Sequence, residues 1–124
     1  MNTQQQLQHD LAITPKTANL LIQLGYTSYR DLRNLSPNQI VAQLKTLPDI
    51  MPAQAEQYRR GLRRMVWLAT QDNPRAQAQL YPNWTQKALK GRGLWRDDID
   101  YDGLSGDEVN QLHHEIKDRE FSIG

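Results

Sequence analysis

One pattern in this chain occurs twice. Leu11-Ala12-Ile13-Thr14-Pro15-Lys16-Thr17-Ala18 returns as Pro48-Asp49-Ile50-Met51-Pro52-Ala53-Gln54-Ala55, and Ile13, Pro15 and Ala18 superpose on Ile50, Pro52 and Ala55 without a gap. Each copy reads as a tight bend that opens a helix. An apolar residue is followed by one spacer, a proline at the first helical position, and a small residue one turn on. Proline suits that first position because its missing N–H would be unpaired in any case. The small alanine lets a neighbouring helix approach closely. A bend of this kind aims backbone N–H groups outward and can hold an anion such as a phosphate.

The stretches around the bends carry helix signals. Residues 3–11 place Leu7 and Leu11 four apart, and a helix is expected from about Pro15 to Leu24, its apolar face built on Ala18, Leu21 and Leu24. Gly25 stands where a helix-ending glycine belongs. Ser28 with Asp31, Ser36-Pro37 with Gln39, and Ser105 with Glu108 all match capping boxes. From about Pro52 to Thr70 the apolar positions Ala55, Tyr58, Leu62, Met65 and Ala69 predict one long helix. Gly61 inside it suggests a close backbone contact. Short helices are expected from Asn73-Pro74 to Leu80 and from Pro82 to Lys90, with Gly91 as the stop, and a last one carries Val109, Leu112 and Ile116 inward. No alternating strand pattern appears. The expected class is all-α, a compact bundle of short helices with a helical, partly irregular C-terminal tail.

The 124 residues suit one domain, or a small domain with an ordered tail. A mean hydropathy of -0.78 fits a soluble chain with a modest core, and no apolar run approaches the ~20 residues a membrane helix needs. Met1-Asn2-Thr3-Gln4-Gln5-Gln6 lacks the basic and apolar regions of a secretion signal. Without cysteine there is no disulfide, no thiolate chemistry and no cysteine zinc site. An intracellular location, cytoplasmic or nucleoid/nuclear, and no membrane partner are therefore expected. The net charge of +1 hides a split: residues 1–70 carry eight Lys/Arg against four Asp/Glu, while residues 71–124 carry seven against ten. Asp97 to Gly124 is strongly acidic and could cover a basic face of the same chain.

The two bends and their helices resemble the helix-hairpin-helix motif of DNA-repair and competence proteins. In that family the hairpin reads glycine, hydrophobic residue, glycine, then often proline, with alanine four residues after the second glycine. Here Ala12-Ile13-Thr14-Pro15 with Ala18, and Asp49-Ile50-Met51-Pro52 with Ala55, occupy those places. Leu24-Gly25-Tyr26-Thr27-Ser28-Tyr29-Arg30-Asp31-Leu32 is similar to the link that follows one hairpin. The resemblance covers roughly residues 7–70. It implies a domain over residues 1–70 made of two such units, with residues 71–124 as an extension packing on it. The pattern departs at all four hairpin glycines, replaced by Ala12, Thr14, Asp49 and Met51. Each added β-carbon crowds a phosphate, and Asp49 adds a repelling charge. Thr14 is the mildest loss, since its hydroxyl can cap the helix behind it. The first bend is thus the better anion site.

Candidate nucleic-acid-binding residues are Ile13, Thr14, Lys16 and Thr17 at the first bend, with Arg59, Arg60, Arg63 and Arg64 on the long helix. Arginines one turn apart can follow a phosphate backbone, with salt-sensitive and sequence-independent affinity; the plainer reading is a solvated face. Lys87, Lys90, Arg92, Trp95 and Arg96 mix bases with an aromatic as single-strand binders do, although Trp84 and Trp95 also suit anchoring of the tail. Asp98, Asp100 and Asp102 before Gly103 open like a calcium loop, but the twelfth position is Val109 and Glu108 falls one residue early. His113 and His114 are adjacent and point about 100° apart on a helix, so they cannot grip one ion together. No catalytic arrangement and no cofactor motif is detectable. The expectation is a non-enzymatic module that binds DNA non-specifically through hairpin amides and an arginine-rich helix. The alternative is a protein-interaction or scaffold domain on a degenerate hairpin fold, with an acidic protein as partner.

Overall fold

The computed structural model describes the backbone of residues 1–123 and the side chains of residues 1–118. All regular structure among the described residues is helical: α1 (Thr3–Leu11), α2 (Pro15–Gln23), a 3-10 turn (Tyr29–Leu32), α3 (Pro37–Leu44), α4 (Pro52–Gln57), α5 (Arg59–Leu68), α6 (Pro74–Leu80), α7 (Gln86–Gly91), a second 3-10 turn (Tyr101–Gly103) and α8 (Gly106–Ile123). The all-α class is as the sequence indicated.

Helix starts follow the capping chemistry. Thr14 Oγ1 accepts from the Thr17 N–H at 3.2 Å. Ser36 Oγ accepts from Gln39 N–H while Gln39 Oε1 accepts from Ser36 N–H. Ser105 and Glu108 form the same reciprocal pair at the start of α8. Such caps satisfy amides that the first helical turn leaves orphaned. The stop of α2 is Gly25, at φ +94°, with Tyr26 N–H bonded back to the Leu21 carbonyl at 2.9 Å.

Three local expectations need correction. The helix over 52–70 is divided at Tyr58, whose N–H bonds to Ala55, three residues back, at 3.2 Å; the tighter turn separates α4 from α5. Gly61 makes no close backbone approach, since a β-carbon there would meet only Met65 Cε at 3.5 Å. The helix expected from Pro82 starts instead after Thr85, whose hydroxyl caps it.

Helix α5 is the centre of the molecule. Residues Met65 to Ala69 are buried without interruption, as befits a helix whose C-terminal half is enclosed on all sides. Contacts reach it from α3, α4, α6, α8 and both 3-10 turns. One core joins Leu7, Leu11, Ala18, Ile40 and Ala55 to Trp84, Leu89, Leu94, Tyr101 and Val109. Ala18 and Ala55, the small residues of the repeated pattern, are both fully buried. Segment 71–118 is tied to the rest by ion pairs between Arg33 and Asp107 at 3.0 Å and between Arg63 and Asp102 at 2.5 Å. A Tyr29 hydroxyl bond to the Gln71 carbonyl adds to these. No helix among the described residues is long and apolar enough to cross a membrane.

The two bends differ in backbone. Ala12 ends α1 in the left-handed region (φ 54°, ψ 53°), and the Ile13 N–H bonds to the Gln8 carbonyl at 3.3 Å. This is the position where the resembling family places its first glycine, and the conformation is the one glycine adopts without a β-carbon penalty. Asp49, its counterpart, does not share it, because Ala12 is the single non-glycine residue at positive φ among those described. In the second bend the Met51 amide is taken by Gln54 Oε1 at 2.9 Å.

Candidate nucleic-acid interface

The four arginines of α5 meet four different fates. Arg59 donates through Nε to Glu56 Oε2 at 2.9 Å and through Nη1 to Asn38. Glu56 also receives Lys45 Nζ at 2.7 Å, and hydrogen bonds from Lys45 and then Arg59 hold its carboxyl below the usual range. Arg63 makes a two-pronged pair with Asp102, Nε to Oδ1 at 2.5 Å and Nη2 to Oδ2 at 3.0 Å. That bond raises the guanidinium pKa above its ordinary value. Arg64 turns inward and donates to three carbonyls: Leu11 at 3.3 Å, Ala12 at 3.1 Å and Pro82 at 3.1 Å. It thereby satisfies the C-terminal carbonyls of α1, and burial lowers its pKa. Arg60 alone of the four is exposed and has no hydrogen bond or ion pair among the described residues.

What α5 loses to internal pairing is partly replaced from α7. Arg60 and Arg63 line one side of a cleft of about 650 Å³, and Thr85, Gln86, Lys87 and Lys90 line the other. No acidic residue lines it. Lys87 and Lys90 are three apart, hence on one face of α7, and both are exposed. A second cleft of about 220 Å³ continues past Arg60 along Gly61, Arg64, Pro82 and Asn83. Because Arg64 holds both Pro82 and the Leu11 and Ala12 carbonyls, the first bend adjoins this side of the molecule.

At that bend Thr14 and Lys16 are exposed, while Ile13 and Thr17 are half-buried. The Thr14 and Thr17 hydroxyls lie 3.0 Å apart. Proline at the next position contributes no N–H, so the Lys16 amide is the donor left facing out from the first turn of α2; no acceptor among the described residues meets it.

The other basic and aromatic candidates turn elsewhere. Arg92 sits over the Tyr81 ring at 4.9 Å and the Trp84 ring at 5.5 Å, and its Nη2 donates to the Asn83 carbonyl. Arg96 pairs with Asp98 at 2.9 Å. Trp95 stacks on Tyr101, with centroids 4.9 Å apart, and donates to Asp97. Tyr101 thus covers one Trp95 face and Asp97 takes its N–H. Trp84 is 4% exposed and belongs to the core.

The carboxylates of the calcium candidate are engaged within the chain. Asp102 is spent on Arg63, Asp98 on Arg96, and Asp100 Oδ1 accepts from the Asp102 N–H at 3.1 Å. Among the described residues no cluster of His, Asp and Glu can hold a metal ion. An ion of this type needs six or more convergent oxygens. His113 is buried and His114 is exposed.

The pairing of Arg60 with Lys87 and Lys90 is the feature that sequence reasoning missed. Its sequence trace is the absence of acids between Asn73 and Arg96 together with lysines three apart. Comparison with known proteins adds no relative: no family model, no curated protein and no solved structure matches the chain.

Proposed function

We propose that the protein binds nucleic acid without sequence preference, through the phosphate backbone, and performs no catalysis. The observation that carries this reading is the cleft in which Arg60 faces Lys87 and Lys90 with no carboxylate in its lining. Cations gathered on a groove release counterions from a polyanion and give salt-dependent affinity. The first bend supports it from the neighbouring surface: Ala12 keeps the left-handed backbone of a hairpin glycine, and Lys16 is exposed beside an unmatched amide. On this reading the bends are degenerate helix-hairpin-helix units, the second serving packing through Ala55. Arg59, Arg63 and Arg64 then hold the fold, and DNA meets Arg60, Lys87, Lys90 and Lys16.

Anisotropy titrations with a short duplex and a single strand over a salt series test it. With three to four phosphate contacts the log–log slope for duplex is roughly −3. Arg60→Glu with Lys87→Glu flattens the slope and abolishes binding, and Lys16→Glu weakens it. Absence of salt-sensitive binding to either substrate at low ionic strength overturns the proposal.

A second reading, a protein-interaction module, is favoured by one observation. Met51 at the second bend is 68% exposed and Leu80 is 67% exposed, apolar surface that a partner protein would cover. Under that reading the Arg60→Glu, Lys87→Glu variant keeps its partner, whereas Met51→Ser with Leu80→Ser loses it.

A further inference from the structure

A different cleft, of about 280 Å³, opens between α5, the segment after α6, and α8. None of Arg60, Lys87 or Lys90 lines it. Tyr81, Trp84, Arg92, Leu94, His113 and Lys117 do. Two of its polar groups are deeply buried without a partner: Trp84 Nε1 and His113 Nε2, in residues only 4% and 5% exposed. A buried donor left unmet costs about 1–3 kcal/mol, so such groups ordinarily find a partner. The chain offers two here, side by side, with ring centroids 5.2 Å apart and planes 26° from parallel.

The surroundings define what can satisfy them. The Trp84 ring is stacked by His113, crossed by Arg92 and flanked by Trp67 at 5.0 Å. Its faces are therefore occupied, and its N–H edge is closed to solvent, so a ligand reaches that edge only as the side chains around it part. That nitrogen can only donate, and the neutral His113 ring also donates in its Nε2–H tautomer. Arg92 spends Nε and Nη2 on the Ala88 and Asn83 carbonyls, yet its charge remains at the cleft. Lys117 is exposed beside it. No acidic residue lines the space. Two unmet nitrogens, two cations, no carboxylate and an apolar wall of Leu94, Tyr81 and Trp67 match an anion with lone pairs on a small apolar body.

We propose that this cleft is a binding site for a small organic monocarboxylate, its oxygens accepting from Trp84 Nε1–H and His113 Nε2–H and its apolar body lying against Leu94 and Tyr81. Arg92 and Lys117 supply the countercharge.

Proton–nitrogen correlation spectra of the full chain test this with sodium benzoate as probe. Benzamide is the neutral isostere, and sodium chloride at equal ionic strength is the control. Assignment uses Trp84→Phe. The expected result is a saturable shift of the Trp84 indole signal with a Kd of about 1 mM or tighter, weaker by roughly tenfold or more for benzamide. Lys117→Glu, at an exposed position that leaves the core intact, weakens benzoate by roughly fivefold or more, and the Trp95 indole stays unmoved. The proposal fails if the Trp84 signal does not saturate, if benzamide binds as well as benzoate, or if Lys117→Glu changes nothing. An unshifted signal that exchanges with ordered water alone also overturns it, since water would then be the partner of both nitrogens.

Discussion

The α-carbon of Gly106 lies against the Val66 carbonyl, so closely that a β-carbon built on it would stand 1.9 Å from the Val66 oxygen and 3.0 Å from the Arg33 oxygen. The next residue, Asp107, donates its amide to the same Arg33 carbonyl at 3.1 Å and accepts from the Arg33 side chain. The first turn of α8 is thus seated directly on the backbone of α5 and of Arg33, which follows the first 3-10 turn.

Gly106→Ala must push α8 off this seat. The expected loss is about 3 kcal/mol or more, at the upper end for overpacked sites, read from urea unfolding. Gly61→Ala is the contrast. Its β-carbon enters ordinary contact at 3.5 Å, and alanine is the better helix former, so stability rises by roughly 0.5–1 kcal/mol. Equal effects at the two glycines would contradict the docking described.

Arg63→Ala and Arg60→Ala separate the structural from the exposed arginine. Arg63 and Asp102 side chains are only 17% and 15% exposed. Removal of Arg63 is expected to cost about 1–3 kcal/mol, whereas Arg60→Ala stays within about 0.5 kcal/mol. A double-mutant cycle on Arg63 and Asp102 gives a coupling of about 1 kcal/mol or more; a coupling of zero would show that the pair holds nothing.

Ala12→Gly removes a β-carbon from a left-handed position. Relief of that strain outweighs the greater freedom of glycine in the unfolded chain, and a gain of up to ~1 kcal/mol follows. Asp49→Gly, at a position with no such backbone, brings no gain. Thermal unfolding of both variants distinguishes the two bends that the sequence makes look alike.

Stability should depend on pH through His113. Burial, then the charges of Arg92, Lys117 and His114, lower its pKa from 6.5 to about 4. Between these values the unfolded chain binds the additional proton. The contribution is therefore complete above pH 6.5 and is lost as pH falls toward 4, by up to about 3 kcal/mol. His113→Phe keeps a ring against Trp84 and removes this loss. The stability difference between variant and parent is expected to be flat above pH 7 and to shift in favour of the variant below 6.5; a difference constant down to pH 4 excludes the mechanism.

The helices were legible because their signals are local. Ser36 with Gln39, Ser105 with Glu108, Thr14 before Pro15, and Gly25 each act within one turn of chain, and each does so in the fold. Less legible was the division at Tyr58, where nothing in the side-chain pattern distinguishes a continued helix from a tightened turn. The arginine group misled for a related reason. Spacing places Arg63 and Arg64 off the apolar stripe, but in the fold Arg63 meets Asp102 from a later segment and Arg64 the α1 carbonyls from an earlier one.

The order of residues alone determined an all-helical chain, where most of its helices begin, and that Ala18 and Ala55 turn inward, since hydrogen bonds to the nearest backbone and the 3.6-residue period need no distant partner. Tertiary structure decided which charges stay free. It consumed Arg59, Arg63 and Arg64 internally, carried Lys87 and Lys90 across to Arg60, and enclosed Trp84 and His113 without partners. A charge or an N–H is satisfied by whatever lies within about 3 Å of it, and for these residues that neighbour comes from a remote part of the chain.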